Sequence, residues 1–220
     1  MNIEQTLNRA IKILSSCNIK NPHLDSQILL SKAINEDRKY VLLNSKKRLS
    51  AECLDRFDNL IYRRKKKEPI AYLTNRKEFW REIFYVDKDV LIPRPDTELI
   101  VEQALKYSSK DSHLQILDIG TGSGCILLSI LNERPNFYGT GIDISKKSIS
   151  ISKYNAKLLK LKNRVKFYNS DLDNFINHKY DIVVSNPPYI KSNDLKYLEK
   201  DIINFEPKLA LSGGFDGFSK

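Results

Sequence analysis

The pattern of apolar and polar positions divides the chain into a helical first part and an alternating second part. Near the N-terminus, apolar residues recur every three or four positions, which places them on one helix face; they are Ile3, Leu7, Ala10, Ile11 and Leu14. A second helix is predicted to start after Asn21-Pro22, and a third to begin at Ser50, its predicted N-cap. The pattern therefore predicts a small all-α domain over residues 1–75.

Between residues 70 and 92 the helical period is replaced by aromatic and β-branched residues. Two such runs, 78–86 and 89–92, are separated by Asp87-Lys88, which predicts a short β-hairpin that turns there. Pro93 and Pro95 follow. We expect this hairpin to act as a linker over residues 76–95, before a second domain over residues 96–220.

The second domain alternates between strand-like and helix-like segments. Strands are predicted at 115–119, 138–143, 165–168 and 180–185, and helices at 125–132 and 146–161, after an initial helix that follows Thr97. Such alternation is typical of an α/β fold with a parallel sheet covered by helices.

Composition narrows the class of protein. The three cysteines lie far apart and form no C-x-x-C pair, which favours a reducing, cytoplasmic location, and no apolar run is long enough to span a bilayer. The formal net charge is +10, from 37 basic and 27 acidic residues. One basic run could be a solvated helix end or a weak nucleic-acid contact; it consists of Arg63, Arg64, Lys65, Lys66 and Lys67.

A glycine-rich turn follows the first strand of the second domain. Its sequence is Gly120-Thr121-Gly122-Ser123-Gly124. Glycines at a strand-to-helix turn let a nucleotide-like cofactor approach the backbone closely. The spacing differs from the G-x-G-x-x-G of dinucleotide sites, and no Gly-Lys-Ser/Thr of a phosphate loop is present, so a pyrophosphate ligand is disfavoured.

Acidic residues are predicted at the ends of the next two strands. Asp143 is placed to accept hydrogen bonds from ribose hydroxyls, while Asp171 with Leu172 can accept from an adenine amino group and contact its ring. Asp118 adds another carboxylate near the turn. A cationic adenosine compound without phosphates fits these acceptors, which points to S-adenosylmethionine.

The fourth strand runs into Asn186-Pro187-Pro188-Tyr189. The two prolines stiffen this loop, so that the Asn186 side-chain oxygen and the Pro187 carbonyl become fixed acceptors, and Tyr189 can stack. Such a site can hold a planar NH2 group and aim its nitrogen at an electrophilic methyl group. No metal-ligand set is visible, because His23, His113 and His178 are isolated from one another.

Together with this tetrapeptide, other segments make nearly the whole chain resemble one enzyme family, the HemK-like release factor glutamine N5-methyltransferases, which are Rossmann-like and depend on S-adenosylmethionine. The segments are Glu68–Thr74, Glu78–Trp80, Leu91–Glu98, Phe205–Pro207 and Ala210–Gly214. The resemblance implies methylation of the glutamine in the Gly-Gly-Gln loop of release factors, with the helical domain helping to dock them. It also implies that Gly120 to Gly124, Asp143, Leu172 and Asn186 line the cofactor, and that Asn186 to Tyr189 bind the glutamine.

The chain departs from the family pattern in three places. Lys67 and Asn75 stand where relatives often have glycine, and relatives continue beyond the segment 213–217 into further strands, whereas this chain stops at Lys220. We therefore expect a fragment of a longer chain, in which the methyltransferase domain ends after the fourth strand and leaves that strand with an uncovered edge.

Two other functions remain open at the level of sequence. An RNA or DNA exocyclic-amine methyltransferase would use the same Asn-Pro-Pro-Tyr tetrapeptide. A catalytically silent module would bind the cofactor or a partner without turnover.

Overall fold

The computed structural model describes residues 1–171, 175 and 179–217. The chain divides into two compact units, Met1–Thr74 and Asn75–Lys220, each with its own buried apolar cluster.

The first unit is all helical. Its helices are α1 (Ile3–Ser16), α2 (Pro22–Ile34), α3 (Arg38–Leu43), α4 (Ala51–Lys65) and α5 (Ile70–Thr74). The predicted helices correspond to α1, α2 and α4, and the Ser50 side chain caps α4 by accepting a hydrogen bond from the Cys53 amide at 3.2 Å. Helices α3 and α5 were not predicted, because five or six residues are too few to establish a 3.6-residue period.

The basic run at the end of α4 has partners inside the first unit. The Arg63 guanidinium donates to the Glu68 carboxylate, and Arg64 Nε donates to Asp25 Oδ2 at 2.8 Å, with both side chains of the second pair largely buried. Lys66 lies over the Tyr62 ring, and Lys67 Nζ donates to the carbonyl of Asn18. The run is therefore not simply a solvated helix end.

Lys67 and Asn75 adopt left-handed backbone conformations, with φ of +72° and +56°. Glycine reaches this region without a steric penalty, which gives a physical reason why relatives often have glycine at these two positions. Here each side chain compensates with a hydrogen bond to a backbone carbonyl, from Lys67 to Asn18 and from Asn75 to Val86.

The second unit contains a parallel sheet with helices around it. Its elements are β1 (Lys77–Phe79), β2 (Glu82–Phe84), α6 (Glu98–Lys106), β3 (Gln115–Ile119), α7 (Cys125–Glu133), β4 (Tyr138–Asp143), α8 (Lys146–Leu158), β5 (Val165–Asn169), β6 (Ile182–Ser185) and α9 (Lys200–Phe205), with short 3-10 turns at Pro95–Thr97, Leu195–Tyr197 and Lys208–Ala210. Strands β5, β4, β3 and β6 lie in that order and pair in parallel. The predicted α/β fold class is confirmed.

The hairpin is shorter than predicted and turns at a different place. Strands β1 and β2 pair antiparallel, with the turn at Trp80-Arg81 rather than at Asp87-Lys88, where no strand follows. Trp80 has a φ of +56°, held by its amide donating to Glu98 at 2.7 Å and its indole donating to Glu133 at 2.9 Å. These tertiary contacts override the local turn signal. Phe79 and Phe84 of the hairpin belong to the buried cluster of the second unit.

Close packing around β4 depends on glycine. A β-carbon at Gly139 would come within 2.6 Å of the Leu127 side chain of α7, and one at Gly141 within 2.6 Å of the Phe167 ring of β5. Both glycines therefore let neighbouring elements approach the middle of the sheet.

Strand β6 lies at one edge of the sheet. Within the described residues it pairs only with β3, and its Val183 is 56% exposed. No described helix combines the length and apolarity needed to cross a membrane.

Candidate functional site

Three loops meet at one edge of the sheet. In the strand register Ile119 of β3 lies beside Ile142 of β4 and Ser185 of β6. Since these strands are parallel, the residues that follow them, Gly120, Asp143 and Asn186, lie along the same edge. The hydroxyl of Ser185 also donates to the carbonyl of Ile119 at 2.9 Å.

The turn between β3 and α7 uses three glycines in left-handed conformations. Gly120, Gly122 and Gly124 have φ values of +71°, +55° and +80°, and the amides of Gly120 and Thr121 both donate to the carbonyl of Ile142 at 2.9 Å. A β-carbon at Gly124 would press against Leu128 at 3.0 Å, whereas one at Gly120 would meet nothing within 4 Å. The turn is therefore closed on its helix side and open at Gly120.

Asp143 holds the glycine-rich turn through its carboxylate. Its Oδ2 accepts from the Gly122 amide at 2.9 Å, and its Oδ1 accepts from the Ser145 amide at 2.8 Å. Burial raises the pKa of this carboxyl above its ordinary value, and the two amide hydrogen bonds oppose that rise. A carboxylate oxygen can accept two hydrogen bonds, and each Asp143 oxygen accepts one here, so both oxygens can still receive ligand hydroxyls.

Asp118 is a second, fully buried carboxyl behind the turn. Its Oδ2 accepts from the Thr121 hydroxyl at 2.7 Å, and its Oδ1 has no hydrogen-bond partner among the described residues. The pKa of Asp118 is raised to about 7, mainly by burial and with a contribution from the charge of Asp143, while the Thr121 hydrogen bond opposes the rise. Asp143 is therefore the carboxylate of the turn that favours a cationic ligand over a phosphate, while Asp118 is partly protonated near neutral pH.

The side chain of Asn186 is held by the segment that precedes α6. Its Nδ2 donates to the Thr97 hydroxyl oxygen at 3.2 Å, and Thr97 is buried. Because the amide nitrogen points to Thr97, the Oδ1 acceptor points the other way. Asn186 and Thr97 both line a cavity of about 320 Å³, together with Pro187, Pro188 and Tyr189.

A buried glutamate fixes the same segment. Glu206, whose side chain is 1% exposed, pairs with the Arg94 guanidinium and accepts from the Ile92 amide at 3.2 Å. This connects the loop after α9 to the segment that carries Thr97. The sequence marks Thr97 only as a candidate helix cap and gives Glu206 no part in the site, because their partners lie about ninety or more residues away in the chain.

The remaining predicted site residues are Thr121, Ser123, Asp171 and Leu172. Thr121 and Ser123 are buried in the turn, while Asp171 is exposed and lies two residues beyond the end of β5. Leu172 lies outside the described residues, as does His178. Within the described part of the chain, no three or more His, Cys, Asp and Glu residues form a group that could hold a metal ion.

Comparison with known proteins identifies both units. Residues 5–74 match the PrmC N-terminal domain family, and residues 95–214 match the methyltransferase small domain family. A release factor glutamine methyltransferase of Buchnera aphidicola subsp. Baizongia pistaciae is 42% identical over 197 residues, which cover 90% of this chain and 70% of that protein. One of the same description from Clostridium acetobutylicum is 41% identical over 220 residues, covering 99% of this chain and 77% of that protein.

Among solved structures, a SAM-dependent methyltransferase from Agrobacterium tumefaciens is 21% identical with a TM-score of 0.43, covering 51% of this chain and 39% of that one. The alignments to these relatives extend over both units of the chain, and the chain covers more than two thirds of the length of each relative. The chain therefore belongs to the release factor glutamine methyltransferase family.

Proposed function

We propose that this protein transfers a methyl group from S-adenosylmethionine to the side-chain amide nitrogen of the glutamine in the Gly-Gly-Gln loop of release factors. The observation that carries this proposal is the Asn186 amide, held by Thr97 at the sheet edge that Gly120 and Asp143 also occupy.

The site suits an adenosine cofactor that carries a positive charge. Gly120 leaves its backbone open to a ligand, Asp143 keeps free lone pairs for ribose hydroxyls, and the turn from Gly120 to Gly124 contains no cation to bind phosphate. When bound, S-adenosylmethionine supplies an electrophilic methyl group on a sulfonium centre.

Asn186 and Pro187 supply the acceptors that orient the substrate. The Asn186 Oδ1 and the Pro187 carbonyl would each accept one N–H of the glutamine amide, which fixes the plane of that group. An amide nitrogen is a weak nucleophile because its lone pair is delocalised, so orientation is the main contribution the loop can make. The same acceptors stabilise the positive charge that develops on nitrogen as the methyl group arrives.

Thr97 acts as a positioning residue for this amide. If its hydroxyl oxygen did not engage Asn186 Nδ2, the Asn186 side chain could turn over and present its NH2 group to the substrate NH2 group. Arg94 and Glu206 would contribute indirectly, since the ion pair between Arg94 and the buried Glu206 fixes the segment that carries Thr97.

The cavity beside the Asn186 amide could hold the substrate, a side chain that projects from a protein loop. Its volume of about 320 Å³ is lined by Tyr189, by Ile202 of α9 and by the Arg94 segment. An exposed aromatic ring at the rim, with Tyr189 68% exposed, can cover the aliphatic stem of a glutamine. The helical first unit is proposed to contribute release-factor docking, as the resemblance implies.

The test is incubation with radiolabelled S-adenosylmethionine and a purified bacterial release factor, beside the factor whose loop glutamine is changed to alanine. We expect label on the unaltered factor only, and loss of that label in Asn186→Ala but not in a control at an exposed asparagine, Asn163→Ala. Calorimetry of cofactor binding accompanies each variant.

Label on total RNA instead of the factor would favour the exocyclic-amine methyltransferase. Cofactor binding without any transfer would favour a silent module. Either result would overturn the proposal.

A further inference from the structure

Positive charge is concentrated in one segment of the second unit. Residues 144–170 contain seven lysines and one arginine and no aspartate or glutamate. This segment carries a net charge of +8, so the other 193 residues, out of a total of +10, carry only +2. Lysines elsewhere are balanced by acidic residues, and a general enrichment in lysine therefore does not explain the imbalance.

The segment forms α8, the turn after it and the edge strand β5. All seven lysines are exposed, and within the described residues only Lys147 forms an ion pair, with Asp89 at 2.9 Å. Arg164 has a structural role instead, because its guanidinium donates to the carbonyls of Leu131 and Arg134.

Three of these lysines surround a cavity of about 350 Å³. Lys153, Lys162 and Lys166 line it together with Ala156, Val165 and Phe167 and with the ring of Tyr168. Tyr154 and Tyr168 are 48% and 43% exposed in the same segment. We call this surface the basic face; it comprises Lys153, Lys162, Lys166 and Tyr168.

Like charges gathered on one surface repel one another, and an anionic partner relieves that repulsion. A partner rich in phosphates gains affinity from each lysine it engages through counterion release. The partly exposed ring of Tyr168 among these cations adds a stacking surface for a base, a combination typical of single-strand nucleic-acid binding. An acidic protein surface would match the charge but would make less use of the ring.

We propose that the basic face binds single-stranded RNA. The choice of RNA over DNA rests on the proposed function, because release factors act in translation termination; the charge and the tyrosine ring do not by themselves distinguish RNA from DNA. The basic face shares no residue with the methyl-transfer site, so binding there and transfer to the release factor can be measured separately.

The test uses the full chain, without methyl donor, and a fluorescently labelled oligouridine whose anisotropy is followed over a range of salt concentrations. The variant K153E/K162E/K166E is compared with K106E/K110E/K200E, which makes the same charge change at exposed lysines outside the segment. We expect at least a tenfold loss of affinity in the first variant and less than a twofold change in the second.

The salt dependence gives an independent readout. For single strands the slope of log affinity against log salt is roughly 0.7 per neutralised phosphate, so losing three lysine contacts should reduce the slope by about two. Tyr168→Leu should weaken binding without changing the slope. Circular dichroism and thermal melting verify folding, and the milder K153Q/K162Q/K166Q replaces any triple variant that does not fold.

Equal losses in the two triple variants would overturn the proposal, because total charge alone would then explain binding. Equal affinity for the matching DNA oligonucleotide would overturn the assignment to RNA. Unchanged RNA binding with a raised KM for the release factor would show that the basic face docks the protein substrate. None of these outcomes depends on whether glutamine is the methylated group.

Discussion

Replacing Asp118 by asparagine removes a carboxyl group that is fully buried behind the glycine-rich turn. Asparagine has nearly the same volume and retains an oxygen that can accept from the Thr121 hydroxyl, now at 2.7 Å from Oδ2. The substitution therefore isolates the effect of the ionisable group. Burial raises the pKa of Asp118 from an ordinary 3.8 to about 7 in the folded protein.

The direction of the pH effect follows from this shift. Between about pH 4 and pH 7 the folded protein holds a proton on Asp118 that the unfolded chain has released, so the free energy of unfolding falls as the pH rises. Each pKa unit corresponds to about 1.4 kcal/mol, which gives roughly 4 kcal/mol in total and about 3 kcal/mol between pH 5 and pH 8. Asp118→Asn lacks this ionisable group. We therefore expect its free energy of unfolding, relative to that of the parent chain, to be higher at pH 8 than at pH 5 by about 3 kcal/mol.

The assay is urea unfolding followed by circular dichroism at pH 5, 6, 7 and 8, without ligand. Asp111→Asn, at an exposed aspartate, makes the same charge change and should keep the pH profile of the parent chain. If Asp118→Asn and the parent lose stability in parallel as the pH rises, the carboxyl does not titrate as the burial argument requires.

Three further substitutions test the site and its support. Thr97→Val should lower kcat at least tenfold while cofactor affinity measured by calorimetry stays unchanged, and Thr97→Ser should restore kcat; an unaltered kcat in Thr97→Val would show that the hydroxyl does not position Asn186. Gly141→Ala brings a β-carbon to 2.6 Å from the Phe167 ring and should cost about 1–3 kcal/mol in urea unfolding, and no loss would contradict the packing argument. Glu206→Gln removes the buried charge that pairs with the half-buried Arg94, so the melting temperature should fall, whereas an unchanged value would mean that the pair does not stabilise the fold.

The alternation of strands and helices was readable from the sequence because buried parallel strands are short apolar runs. The ends of those strands could also be located in the sequence. Because the carboxyl ends of parallel strands lie at one sheet edge, Gly120, Asp143 and Asn186 could be predicted to lie there together. The local signal lies within each segment, and the parallel topology brings the segments together.

The parts that sequence reasoning missed depend on distant contacts. The hairpin turns at Trp80 because Glu98 and Glu133 hold its backbone amide and indole, and no local turn residue announces this. Thr97 and Glu206 acquire their roles from partners far along the chain, which a periodicity cannot reveal. Arg64 belongs to the basic run, yet it is largely buried because it pairs with Asp25 of α2, which is distant in the chain.

The most direct test of the proposed activity is mass spectrometry of the release factor after incubation with this chain and S-adenosylmethionine. We expect a mass increase of one methyl group on the peptide that contains the Gly-Gly-Gln loop, with fragment ions that place it on the glutamine side chain. The increase should be absent with Asn186→Ala. A methyl group on any other residue, or an unmodified loop peptide from a chain that binds the cofactor, would contradict the account.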